Sequence, residues 1–139
     1  MKNLKKSLLA AVLIMFAFVN INAADQESSR AQKATGNLIT GIKSENDGLK
    51  RSAIYFAGKY KVTETSNALV EQFDKEKDPS TKILIAHSLF RMNDDEAMKK
   101  IYILSSKDSN ERVKRLTAAI YETYKLDKYN LEEFLATNN

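Results

Sequence analysis

Apolar residues in this chain recur at helical spacing in short blocks, each cut off by polar residues that stop a helix. Leu49, Ala53, Phe56, Ala57 and Tyr60 are spaced four, three, one and three apart, which predicts an amphipathic helix over Leu49 to Lys61 with those five residues facing a core. A shorter stripe, Leu38 and Ile42, precedes it and ends at the turn Ser44-Glu45-Asn46-Asp47-Gly48. Thr63 to Ser66 supplies N-cap candidates for a helix reaching Phe73 or Lys75. Asp78-Pro79 restarts the chain: Pro fits a first helical turn, where its missing N–H would be unpaired anyway, and the Asp before it can cap. Helices over Ser80 to Met92, around Ala97 to Leu104, and over Glu111 to Tyr124 follow, with a last short one from about Lys128 to Ala136. Gly58, inside a helix, costs about 1 kcal/mol against Ala and suggests close approach by a neighbouring helix.

These blocks repeat. Lys50, Lys82 and Lys114 are 32 residues apart; Leu49, Thr81 and Val113 precede them, Ile54, Ala86 and Ala118 follow by four, and Ala57, Leu89 and Tyr121 by seven. Leu38, Val70, Tyr102 and Phe134 keep the same interval, so the last short helix reads as the opening helix of an unfinished fourth unit, capping the end. A period of this length means stacked helix pairs, none able to bury its apolar face alone. The expected organisation is a signal peptide over 1–23, a loose start or the beginning of the first helix over 24–36, repeats over 37–127, and a capping helix and tail over 128–139.

The signal-peptide reading rests on Lys2, Lys5 and Lys6, the apolar run of 12 from Leu8 to Val19, and Ala23 as the cleavage point. That run is short of the roughly 20 residues a membrane span requires, so no span is expected after cleavage. The first 23 residues carry three of the 22 Lys and Arg and none of the 18 Asp and Glu, leaving 19 against 18, or +1, in the remainder. The +4 of the whole chain is therefore no argument for a nucleic-acid partner. There is no Cys, so stability must come from packing.

With the repeat in view, the chain resembles the HEAT family of helical solenoids in its short-repeat bacterial form. The residues that carry the resemblance are Glu76-Lys77-Asp78-Pro79-Ser80-Thr81-Lys82 with Ala86 and Leu89, then Asp108, Asn110, Val113-Lys114, Ala118 and Tyr121, and Asn46, Leu49-Lys50, Ala53 and Ala57-Gly58. Lys stands where the family usually has Arg, Ser44 where an acid is usual, and Phe90 and Glu122 at the places of Gly58. The resemblance implies an all-α, right-handed α-solenoid of about three helix pairs plus a C-terminal capping helix, and a role in binding other proteins.

Reactive chemistry is sparse. With one His and no Cys, thiol catalysis and the common His- and Cys-based metal sites are excluded, and no phosphate-binding loop, nucleophile elbow or HExxH occurs. No enzyme activity, cofactor or metal is expected. Asp94, Asp95 and Glu96 read as a helix-start cluster favoured by the helix dipole. If 49, 53, 56, 57 and 60 face the core, 51, 55 and 59 face away, with 83, 87 and 91 and then 115, 119 and 123 as equivalents. On the concave side that the resemblance gives to the second helix of each pair, Arg51, Tyr55, Lys59, His87, Arg91 and Arg115 would form one basic, partly aromatic patch suited to an acidic protein or peptide. The plain alternative is a solvated helix face. The expected function is an exported scaffold or adaptor, periplasmic or secreted, with an inhibitor or accessory subunit of an envelope or secreted enzyme as the other reading. The lysine series is expected to link to acids in the turns.

Overall fold

A computed structural model describes residues 28–137, which are helices joined by turns and short irregular segments, with no strand among them. The expected signal peptide lies outside the described residues. Residues 28–36 are helical and belong to a first compact unit, Met1–Gly36; the second unit is Asn37–Asn139. In the second unit, α1 occupies 37–42, α2 is Asp47–Lys59, α3 Ser66–Lys75, α4 Pro79–Met92, α5 Asp95–Ser106 and α6 Glu111–Thr137. No helix of the described residues is long and apolar enough to cross a membrane.

Local chemistry sets the helix starts. Asp78 caps α4, accepting from the N–H groups of Ser80 (3.3 Å) and Thr81 (2.9 Å), with Pro79 in the first turn as expected. Asn46 accepts from Leu49 N–H, Asp94 from Ala97 N–H and Asn110 from Val113 N–H, so α2, α5 and α6 are capped in the same way. Asn93, in the left-handed region at φ 59°, ends α4. The end of α2 is a Schellman turn: Val62 N–H reaches Ala57 O (3.0 Å), Lys61 N–H reaches Gly58 O (3.3 Å), and Lys61 takes φ 53°. The hydroxyls expected to cap α3 do not. Thr65 instead donates to Val62 O at 2.7 Å, and a 3₁₀ turn over Thr63–Thr65 leads into the helix.

Helix α4 is central, packing against α2 and α6 and touching α3 and α5; α5 packs on α3 and α6. Their shared core contains Ile54, Ala57, Leu69, Phe73, Ile85, Ala86, Leu89, Met98, Ile101 and Val113, all essentially sealed from solvent. The α2–α4 crossing is closest at Gly58, where an added Cβ would lie 2.7 Å from the Ser88 Cα; Ser88 Oγ donates to Ile54 O at 3.0 Å in the same place. The close approach expected from Gly58 is therefore present, and it selects small residues on that face.

That selection corrects the expected face of α2. Its buried residues are Lys50, Ala53, Ile54, Ala57 and Gly58, while Leu49 (54%), Phe56 (41%) and Tyr60 (64%) are exposed. At Gly58 the backbones nearly touch and leave no room for a ring, so the aromatic stripe turns outward while Ile54 enters the core a turn earlier. The second correction is at the end of the chain. Helix α6 runs unbroken through Leu126, Asp127 and Lys128, so the segment expected as a separate capping helix is its last turns. Neither Pro nor Gly interrupts it, and Lys125 pairs with Glu122 at 2.9 Å along its surface.

Candidate functional site

The turns before α2, α4 and α6 are tied by one kind of bond. Ser44 Oγ accepts from Asn46 N–H (3.1 Å), Glu76 Oε1 from Asp78 N–H (3.0 Å) and Asp108 Oδ1 from Asn110 N–H (2.8 Å). Two of these side chains also receive a lysine: Lys50 Nζ reaches Glu76 at 3.1 Å and Lys82 Nζ reaches Asp108 at 2.5 Å. Both pairs are nearly dry, with 11% and 8% of the side-chain surface exposed in the first and 14% and 8% in the second. Burial pushes the Glu76 and Asp108 carboxyls up, but hydrogen bonds from backbone N–H groups and the paired lysines outweigh it and hold both below the ordinary carboxylate range. The lysine series thus links to turn acids at its first two members, as expected. Lys114 pairs instead with Glu111, one turn back at 2.8 Å. A cleft of about 570 Å³ around Asp74, Lys82, Lys107 and Asp108 is the seat of the second link.

The six residues expected to bind a partner are all exposed, but their surroundings differ. Arg51 does not present a free guanidinium. Its Nη1 donates to Thr81 Oγ1 (2.9 Å) and Asp78 Oδ2 (3.2 Å), tying α2 to the cap of α4. Tyr55 and Lys59 stand together on α2, with the Lys59 ammonium 5.9 Å from the Tyr55 ring centre and 5.6 Å from that of Tyr60. His87 lines a groove of about 340 Å³ between α4 and α6, shared with Phe90, Leu116, Ala119, Ile120 and Thr123. Arg91 is one turn beyond His87 on α4, and Arg115 one turn before Ala119 on α6; both are exposed and neither lines the groove itself.

Sequence reasoning missed Phe90, Leu116 and Ile120. Phe90 is half-buried and meets Tyr124 edge to face at 6.1 Å, and Ile120 is half-buried against the core. Their signal was that α4 and α6 carry more apolar positions than one core face needs. The acids at the start of α5 are structural, as read: Asp94 caps, Glu96 pairs with Lys100, and Asp95 accepts from the Tyr124 hydroxyl and from Lys128. Bonds from Lys128 and Tyr124 keep the Asp95 carboxyl below its usual range, while burial and that same bond push the Tyr124 phenol up. Among the described residues no group of three or more His, Cys, Asp or Glu is placed to hold a metal ion. Compared with protein-family models, curated proteins and solved structures, the chain has no match.

Proposed function

We propose that the chain is an exported protein-binding scaffold, a short HEAT-like solenoid whose α4–α6 groove takes an acidic amphipathic segment of another protein. The observation that carries this reading is the groove itself: Phe90, Leu116, Ala119 and Ile120 offer apolar contact and His87 a polar one, with the exposed Arg91 and Arg115 one turn from His87 and Ala119 on the same two helices. A helix laid into such a groove buries its apolar face and sets its acids against the two arginines, the arrangement of helix-in-groove recognition. The solenoid reading is supported by the 32-residue sequence period and by the like turns at Ser44, Glu76 and Asp108. Export is supported by the basic start and apolar run of the first 23 residues. A periplasmic or secreted location follows from it, and no catalytic role is proposed.

Two measurements test this. Affinity capture from the envelope of the exporting cell, run in parallel with the native chain and an Arg91→Glu/Arg115→Glu variant, should retain a partner on the first and lose it on the second. Equal retention on a variant with unchanged circular dichroism would remove the groove as the binding surface. N-terminal sequencing of exported protein should begin at Ala24 or Asp25; an intact Met1 on soluble cytoplasmic protein would end the export reading.

A further inference from the structure

The cleft beside the Lys82–Asp108 link has a counterpart one repeat earlier, a cleft of about 390 Å³ beside the Lys50–Glu76 link. Eight residues line this earlier cleft, and for seven of them the residue 32 positions on lines the other. Lys50, Lys75 and Glu76 thus answer to Lys82, Lys107 and Asp108. Glu76 and Lys77 line both clefts, which therefore meet there and form one trough along the edge that carries the turns. None of the residues lining the α4–α6 groove belongs to it.

Six lysines and four acids line the trough. The buried links answer Lys50 with Glu76 and Lys82 with Asp108, and Lys43 pairs at 3.0 Å with Glu71, on which Lys75 also acts at longer range. Lys75, Lys77 and Lys107 remain, all exposed and none in an ion pair among the described residues, against the exposed Glu45 and Asp74. A cation at the end of a helix is favoured by the dipole, which accounts for Lys43, Lys75 and Lys107 at the ends of α1, α3 and α5. It does not account for Lys77. That lysine stands where the clefts join, on backbone that Glu76 fixes by accepting from the N–H groups of Lys77 and Asp78.

Packed helices lie about 8 to 10 Å apart, so lysines on successive helix pairs recur at about that interval. A polyproline II chain has three residues per turn and rises about 3.1 Å per residue, so it presents every third side chain on one side at about 9 Å. Its backbone makes no internal hydrogen bonds, which suits a trough that also offers Ser44, Gln72, Ser109 and Asn110 as polar partners. A uniformly charged polyanion would instead be repelled at Glu45 and Asp74. We propose that the trough binds an extended, polyproline II segment of another protein that carries an acid at every third residue. It is a second interaction surface, separate from the α4–α6 groove.

Fluorescence anisotropy with a labelled nonapeptide of three Glu-Pro-Pro repeats tests this on the purified protein. The titration is run at about 0.1 M salt, where charges more than about 10 Å away are largely screened. Saturable binding is expected. Lys77→Glu combined with Lys107→Glu should weaken it about tenfold while circular dichroism stays native, because reversal adds repulsion to the lost pairing. Should that variant fail to fold, Lys77→Gln with Lys107→Gln asks the same question, with an expected loss of about threefold. Arg91→Glu with Arg115→Glu should leave the peptide's affinity within about twofold, which separates this surface from the groove. The proposal is overturned by absence of binding, by a folded Lys77 and Lys107 variant that binds as the native chain does, or by loss on the arginine variant. Equal binding of an isomeric peptide with its three Glu adjacent, or equal competition per carboxylate by a soluble polyuronate, would overturn it too.

Discussion

Gly58 and Ser88 stand so close that a Cβ on the glycine would lie 2.7 Å from both the Cα and the Cβ of the serine. In most helix interiors Gly→Ala is stabilising by up to about 1 kcal/mol, since Gly carries the greater backbone entropy. Here the obstacle is backbone, which cannot rotate away, so the sign should reverse. Gly58→Ala is expected to lower stability by about 1 to 3 kcal/mol, read as a lower denaturant midpoint with an unchanged slope. A raised midpoint would show that α2 and α4 can part without cost.

Lys82 and Asp108 share the fate of a pair removed from water together. Lys82→Met leaves an almost fully covered carboxylate without its cation, and the loss should be about 3 kcal/mol. Lys82→Met with Asp108→Asn should recover much of that, because no unpaired charge then remains. Chemical denaturation of the two singles and the double, treated as a cycle, separates the pair's coupling from the cost of either truncation.

Acid should unfold the protein through the same turns. Glu76, Asp78, Asp95 and Asp108 all have folded-state pKa values below their ordinary ones; for Asp78 the leading cause is the Thr81 hydroxyl bond, for Asp95 the bond from Lys128. A depressed carboxyl contributes stability that is fully present above its unfolded pKa, near 4, and is lost as pH falls through the folded value. Thermal midpoints should therefore hold level from neutrality to about pH 5 and fall below about pH 4. Lys50, raised chiefly by its bond to Glu76, works in the opposite direction: its share is present below the unfolded lysine pKa and is lost as pH rises through the folded one. Glu76→Gln should flatten the acid limb; an unchanged limb would show that Glu76 is not one of the groups protonated during acid unfolding.

Thr117 is fully buried in α6, and its hydroxyl has no hydrogen-bond partner among the described residues. Burying a hydroxyl unanswered costs about 1 to 3 kcal/mol. Valine has nearly the same shape and no such group. Thr117→Val should thus raise the denaturant midpoint, by about 1 kcal/mol in stability. A lowered midpoint would point to a bond that the hydroxyl makes in solution.

What could be read from the chain divides along the range of the forces involved. Asp78-Pro79, Asn93-Asp94 and Asp108-Asn110 were legible because capping and stopping act over two or three residues. Gly58 was legible because a helix tolerates glycine at a cost that only a neighbour can explain. The facing of α2 was not, since its sequence holds two plausible stripes, one aromatic through Leu49, Phe56 and Tyr60, one small through Ala53, Ala57 and Gly58. Only the distance to α4 decides between them. Arg51 was read as free because its partners, Asp78 and Thr81, are 27 and 30 residues away. The 32-residue recurrence at Phe134 suggested a new helix, whereas the absence of any breaker at Leu126-Asp127-Lys128 let α6 continue.

Several of the side-chain bonds that join one helix or its cap to another span similar lengths of chain: 26 residues for Lys50–Glu76 and for Lys82–Asp108, 30 for Arg51–Thr81, 34 for Ser88–Ile54 and 29 for Tyr124–Asp95. Loop-closure entropy rises only with the logarithm of length, so these links cost nearly the same to form, and none waits for distant parts of the chain to meet. Ordering can begin at any adjacent pair of helices and spread in either direction. Low contact order of this kind goes with rapid folding. Force applied to one end would then release the helices in succession, each event a short, similar step, instead of breaking the whole at once.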